Sequence, residues 1–260
     1  MNDVNDHHQW PDALESLVET LDHLDRVVVL AETPSTQDAL LRLDPEPGTV
    51  LVAAAQTGGR GRLGRHWSDH PGAGTAVSIA VATDTPPVLC ARAAVALARA
   101  YAPLVGRRHA RIGIKWPNDL VLIDPRPRKL AGVLVEQQGA RAIVGIGVNV
   151  SDRPWPEELA GQGGSLQDAG IELTRLEAMT ALLRAWDEAV GMSLDSLREQ
   201  FGAHDLLRGR QAVFDERGTL HEGTVEVVDP FGGILLRTPA GPILLEPDTA
   251  KLHAWEPLSD

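Results

Sequence analysis

Apolar positions along this chain fall into two rhythms, one close to 3.6 residues and one of two. Leu14, Leu17, Val18, Leu21 and Leu24 follow Pro11 at helical spacing, which predicts a short amphipathic helix behind a polar, frayed stretch at 1–10. Residues 27–30 read as a strand. Ser35-Thr36-Gln37-Asp38 opens a helix to Leu43, with Ser35 as cap and Asp38 three positions on. Residues 49–55 predict a buried strand and 75–81 a further strand, separated by a long loop at 58–74 rich in glycine and arginine. Residues 87–105 predict a helix of Ala, Leu and Val. Ile112 and Ile114 then alternate with small or polar residues up to Trp116, as in a half-buried strand.

Pro117-Asn118-Asp119 dictates a turn. Three further strands follow at 120–123, 130–136 and 142–150, with a polar hairpin loop at 124–128. A Pro/Gly-rich connection at 154–164 leads to a long helical pattern at 174–201, weakened near Gly191. The character changes after Arg208. Short strands at 213–214, 223–228, 233–236 and 242–245 are punctuated by Gly, Pro and Asp, which suggests a small separate β-barrel of about fifty residues. The expected organisation is a tail and short helix at 1–24, a main domain at 25–207 and the barrel at 208–260. Strands joined by both helices and hairpins predict an α/β chain of the α+β type, not a doubly wound dinucleotide fold.

Composition narrows the classes. A net charge of −12 argues against duplex nucleic acid as partner, because such binders draw their affinity from a basic face. The single cysteine, Cys90, reads as a buried apolar thiol and can form no internal disulfide. No Cys/His cluster has zinc spacing. The N-terminus lacks a secretory pattern, and no apolar run reaches the ~20 residues that span a bilayer, so a cytoplasmic protein without membrane contact is expected.

Against that acidic background one segment stands out: Gly59-Arg60-Gly61-Arg62-Leu63-Gly64-Arg65-His66-Trp67. It formally fits G-x-G-x-x-G, yet a dinucleotide fingerprint would open a helix, whereas this loop enters another strand. Arginines packed this closely repel unless an anion sits among them, so the segment reads as a clamp for carboxylate and phosphate; a solvated basic loop is the alternative. Three more segments carry candidate chemistry. Lys115-Trp116-Pro117-Asn118-Asp119 points polar groups from a turn, and Lys129 starts the buried run through Glu136. In Gly145-Ile146-Gly147-Val148-Asn149 two glycines permit close approach of a ligand to the backbone.

GRGRLGRHW, KWPNDL, KLAGVLVE and GIGVNV, in this order, resemble the biotin–protein ligase family, and Ser35-Thr36 with Gln56 upstream match it too. The resemblance covers roughly residues 25–255. It implies a mixed sheet with flanking helices, similar to the catalytic domain of class II aminoacyl-tRNA synthetases, plus a C-terminal SH3-like barrel. It also implies activation of biotin by ATP, with Mg²⁺, and transfer to a lysine of a biotin carboxyl carrier domain.

Position by position, Ser35, Thr36 and Gln56 match the residues that hydrogen-bond the ureido ring. Gly59, Arg60, Arg62 and Arg65 match the loop over carboxylate and phosphate, with Gly59, Arg60 and Gly147 on the biotin side. Trp67 matches the aromatic on adenine, and Lys129 the lysine at the reacting carboxylate and α-phosphate; Lys129, Arg62 and Arg60 are the implied catalytic set. Asn118 and Asn149 match the nucleotide side and Asp119 the metal side, with Lys115 nearby. Gln37 stands where the family has Asn, and Leu245-Glu246-Pro247 replaces the usual Ser/Gly near the end of the barrel.

The residue types suit the chemistry. Carboxylate and α-phosphate repel by about 4 kcal/mol at ~4 Å and an effective dielectric of 20, which clustered cations would offset. No protein nucleophile is needed. A lipoate–protein ligase is the near alternative, but it would leave the polar set Ser35, Thr36 and Gln56 without purpose. A non-catalytic biotin sensor or DNA-binding repressor is the other. Roughly 25 residues before the first strand are too few for a three-helix DNA module, so the form without that module is expected.

Overall fold

A computed structural model describes residues 6–256 apart from Arg65, Asp69, Thr83, Ala140 and Asp248. Its main body is a seven-stranded sheet built from β1 (Arg26–Thr33), β2 (Thr49–Gln56), β3 (Gly74–Val81), β4 (Arg111–Lys115), β5 (Asp119–Ile123), β6 (Pro127–Gln138) and β7 (Arg141–Asn149). The strands lie in the order β1-β2-β3-β7-β6-β5-β4. Only β1 and β2 run parallel, joined through α2 (Thr36–Arg42); the other neighbours are antiparallel. This is the mixed sheet expected from strands joined by helices and hairpins.

Period-two alternation gives the sheet two unlike faces. On one, Val50, Val52, Val77, Ile79, Val133, Val144, Ile146 and Val148 are buried in the main core with α3 (Pro86–Tyr101), α4 (Arg175–Gly191) and α5 (Leu194–His204). α1 (Trp10–Val18) joins the same core through Trp10, Leu14, Leu17 and Val18. On the other face, α2 covers one end only, where Ala39 and Leu40 pack with Leu51, Ala80 and Ile143. Beyond that small cluster the same face carries Ala76 and Ser78 of β3 opposite Gly147 and Gly145 of β7, with Gly132 of β6 alongside. Small side chains there leave a trough.

The long helical pattern at 174–201 proves to be two helices. Ser193 breaks it and caps α5, accepting a hydrogen bond from the Ser196 amide, while Thr174 and Glu177 form a reciprocal capping box at the start of α4. The expected helix at 87–105 ends at Tyr101 and tightens into a 3-10 turn at Ala102–Leu104.

After α5 the chain forms a second, five-stranded antiparallel sheet, ordered β11-β10-β9-β8-β12, consistent with an SH3-like barrel. Its strands are β8 (Gln211–Glu216), β9 (Thr219–Asp229), β10 (Gly233–Thr238), β11 (Gly241–Leu245) and β12 (Ala250–Trp255). β12, which the sequence pattern did not mark, returns to pair with β8. The sheets share one core: Phe214 of β8 meets Trp116 edge to face at 6.3 Å between centroids. No helix among the described residues is long and apolar enough to cross a membrane.

Candidate active site

The trough on the sparsely covered face is bounded at one end by the start of α2. Ser35 caps that helix, accepting from the Asp38 amide at 3.4 Å. Thr36 donates both its amide and its hydroxyl to Gln56 Oε1, at 2.9 and 3.1 Å. Ser78, fully buried on β3, donates to the Thr36 hydroxyl at 2.9 Å. These groups form one hydrogen-bonded chain at the trough end. Gln37 donates to the Leu134 carbonyl and lies against Gly145, where an added Cβ would sit 2.7 Å from its side chain.

The arginine-bearing loop folds back over this floor. The Trp67 amide donates to the Gly59 carbonyl at 2.9 Å, and Arg60 bridges antiparallel to His66. The Trp67 indole therefore lies across the glycines: a Cβ on Gly147 would come within 2.4 Å of the ring, and one on Gly132 within 3.2 Å. At Gly59 a Cβ would approach the Gln56 amide nitrogen to 2.6 Å. Space, not backbone angle, requires glycine at Gly147 and at Gly59, where a Cβ would also meet the Trp67 carbonyl oxygen at 2.7 Å; at Gly132 the nearest atoms are the end of the Lys129 side chain, at 2.8 Å.

The site's cations are not equally free. Arg60 forks onto Glu136 at 2.7 and 2.8 Å and reaches Asp38 at 2.7 Å. Lys129 Nζ lies 2.6 Å from one Asp119 oxygen and Lys115 Nζ 3.1 Å from the other. Burial alone pushes the Asp119 carboxyl up, but the charges and hydrogen bonds of the two lysines outweigh it and hold it at about 2. Arg62 differs. Its guanidinium bonds neutral acceptors, the Asn118 side-chain oxygen at 3.4 Å and the Pro247 carbonyl at 2.5 Å. Arg65 falls outside the described residues.

Asn118 and Asn149 are held in the site by backbone carbonyls. Asn118 donates to the Val133 carbonyl at 2.7 Å, and Asn149 donates to the Lys129 carbonyl at 3.2 Å. The Lys129 backbone is fixed further by the Gln162 carbonyl and the Gly164 amide. Asn149 also accepts from Arg153, a buried arginine stacked 4.1 Å from the Trp155 ring that reaches the Ser68 carbonyl.

Two cavities result. A small one of about 50 Å³ follows the trough from Thr36, Gln37 and Gln56 to Gly132, Gly145 and Gly147. A larger one of about 350 Å³ opens among Lys115, Asp119, Asn149, Arg153, Trp155 and the C-terminal strand residues Lys251, Leu252 and Trp255. They share a wall of Gly61, Arg62, Trp67, Asn118 and Lys129. Two compartments that meet at two cations suit two ligands joined through their anionic ends.

Residues 29–175 match the family described as the biotin/lipoate A/B protein ligases. The chain belongs to that family. A biotin–[acetyl-CoA-carboxylase] ligase of Paracoccus denitrificans is 31% identical over 82% of this chain and 95% of its own length. A bifunctional ligase/repressor of Bacillus subtilis is 33% identical over 62% of the chain, and a biotin–[acetyl-CoA-carboxylase] ligase of Mycobacterium tuberculosis is 37% identical over 55%. The chain spans about half the length of these last two, 51% and 55%. Among solved structures, the biotin protein ligase of Aquifex aeolicus in complex with biotin and ATP superposes with a TM-score of 0.77 at 26% identity, over 88% of this chain and 98% of that one.

In this member of the biotin/lipoate ligase family the expected residues other than Arg65, which lies outside the described residues, fall around the two cavities. Thr36, Gln56, Arg60 and Gly147 line the small cavity; Lys115, Asp119 and Asn149 line the larger; and Arg62, Trp67, Asn118 and Lys129 stand between. Ser35 stands behind Thr36 as the helix cap, and Gly59 lies under Trp67. Sequence reasoning missed Ser78, Arg153, Trp155 and the wall given by β12. Ser78 interrupts an apolar strand, a signal that could have been used; Arg153 sits in a connection whose pattern marks only Pro and Gly.

Proposed function

We propose that the protein is a biotin–protein ligase working in the cytoplasm: it joins biotin to the α-phosphate of ATP and passes the biotinyl group to a lysine of a biotin carboxyl carrier domain. The shared wall between the two cavities carries this reading. A ring bearing donors and acceptors suits the Thr36, Gln56 and Ser78 chain in the small compartment. A nucleotide suits the larger one. The ligand's carboxylate and the α-phosphate would then meet at Lys129 and Arg62. The trough is supplied within residues 25–207, and the outer wall by Ala250, Lys251, Leu252 and Trp255 of the C-terminal sheet.

In the first step a biotin carboxylate oxygen attacks the α-phosphorus and pyrophosphate leaves. Arg62 offers a guanidinium that no protein carboxylate holds among the described residues, so it is available to an arriving anion. Asp119 holds Lys129 at the junction, and Lys115 shares the burden of that carboxylate. In the second step the carrier amine attacks the acyl carbon, AMP departs, and Lys129 and Arg62 face the developing negative oxygen. Trp67 over the glycine floor excludes water from the mixed anhydride.

Mg²⁺ is the expected ion, but Asp119 is bonded to two ammonium groups, and no group of three or more His, Cys, Asp or Glu among the described residues could hold a metal. The residues do not fit a protein-held ion. A lipoyl ligand would leave the Thr36 and Gln56 groups that line the small cavity facing hydrocarbon, which disfavours that alternative. The test is pyrophosphate release that requires both biotin and ATP, followed by the mass of one biotinyl group on an added carrier domain. Release that is equal with lipoate, or absent with biotin, would refute the reading.

A further inference from the structure

The family resemblance places the Arg60 guanidinium among the groups that close on the ligand's carboxylate and phosphate. The geometry points elsewhere: we propose that Glu136 and Asp38 are positioning residues that fasten Arg60, and with it the root of the glycine-rich loop, over the biotin compartment.

Both terminal nitrogens of Arg60 lie on the Glu136 carboxylate in a planar fork at 2.7 and 2.8 Å, and one also reaches Asp38 at 2.7 Å. Two carboxylates on one guanidinium leave it no excess charge for a ligand. The three partners come from three walls of the small cavity. Asp38 stands in the first turn of α2, which presents Ser35 and Thr36. Glu136 lies on β6, two positions beyond Leu134, whose carbonyl holds Gln37. Arg60 belongs to the loop, whose ends are already tied by the Arg60–His66 bridge and the Trp67–Gly59 hydrogen bond. Beyond this tie the chain makes a 3-10 turn at Arg62–Gly64, from which Arg62 reaches Asn118 and the Pro247 carbonyl and not the Arg60 cluster. Arg62, not Arg60, is the guanidinium presented to the reacting anions.

The ion cluster is 32–44% exposed, so it contributes little to global stability. It holds walls of the small cavity and touches none of Lys115, Asp119, Arg153 or β12 around the larger one. Loosening it should therefore affect one ligand alone.

This inference rests on the biotin reading of the small cavity, and the test separates the two. For Glu136→Gln and Asp38→Asn/Glu136→Gln, biotin dissociation and the KM for biotin should rise by about tenfold or more, since a charge-assisted fork is lost. The KM for ATP, kcat at saturating biotin and the unfolding midpoint should change little, within about twofold for the kinetic constants. Arg60→Met combined with Glu136→Gln should be no worse than the poorer single variant, because one tie is broken either way. Unchanged biotin dissociation, equal rises in both KM values, or additive losses would overturn the proposal. A wild-type protein that does not bind biotin would overturn both it and the reading beneath it.

Discussion

Asp119 illustrates how one residue sets the character of its neighbours. Its carboxyl is buried, yet the ammonium groups of Lys129 and Lys115 hold it at about 2, below its ordinary 3.8. A lowered folded value means the unfolded chain binds the extra proton, so this interaction stabilises above about pH 4 and is lost as pH falls through about 2, with roughly 2 kcal/mol at stake. Asp119→Asn should flatten the pH dependence of urea unfolding between pH 4 and pH 2; a slope equal to wild type would speak against the pairing. Lys129→Ala should lower pyrophosphate release by about a hundredfold while leaving biotin affinity within a few-fold, as for a group acting on charge in the transition state. Arg62→Gly should let activated biotin leak faster, read as modification of an added amine; a leak equal to wild type would contradict its place at the junction. Residues at this scale were legible where they cluster in the sequence, as in 59–67 and 115–119. Pairings such as Thr36–Ser78 and Arg60–Glu136 were not, since each joins a helix or a loop to a strand distant in the chain, a placement that no local pattern reveals.

At the scale of elements, the site follows from β3 and β7 carrying large residues toward the helices and small ones toward the trough. Gly147 shows the consequence. Gly147→Ala would put a Cβ 2.4 Å from the Trp67 indole, so the ring must shift. Biotin binding by calorimetry should weaken by about tenfold for that variant, an overpacking cost of roughly 1–3 kcal/mol, whereas Gly202→Ala on α5, with open space and no positive φ, should not alter it. The helix caps give an independent check: Ser193→Ala should cost about 1 kcal/mol in urea unfolding. The alternation that builds β3 and β7 was readable from the sequence, and so was the helix weakening near Gly191. β12 was overlooked although Ala250, Leu252 and Ala254 alternate with Lys251 and His253 as a half-buried strand does; what the pattern does not reveal is its pairing with β8.

The two sheets share a core through Trp116 and Phe214, so the molecule should unfold as one cooperative body. Phe214→Ala, at a fully buried position, should cost about 3–5 kcal/mol and still give a single unfolding transition. The same arrangement puts the C-terminal sheet in the site, with Pro247 on Arg62 and β12 along the larger cavity. Its composition announced a separate unit; its role as a wall depends on how it packs, which no sequence pattern states. The most direct measurement is a crystal structure with biotinyl-adenylate bound. The ureido ring should lie on Thr36 and Gln56, and the acyl phosphate within hydrogen-bond reach of Lys129 Nζ and the Arg62 guanidinium. A ligand seated away from that junction, with both cations still on their present partners, would contradict the account.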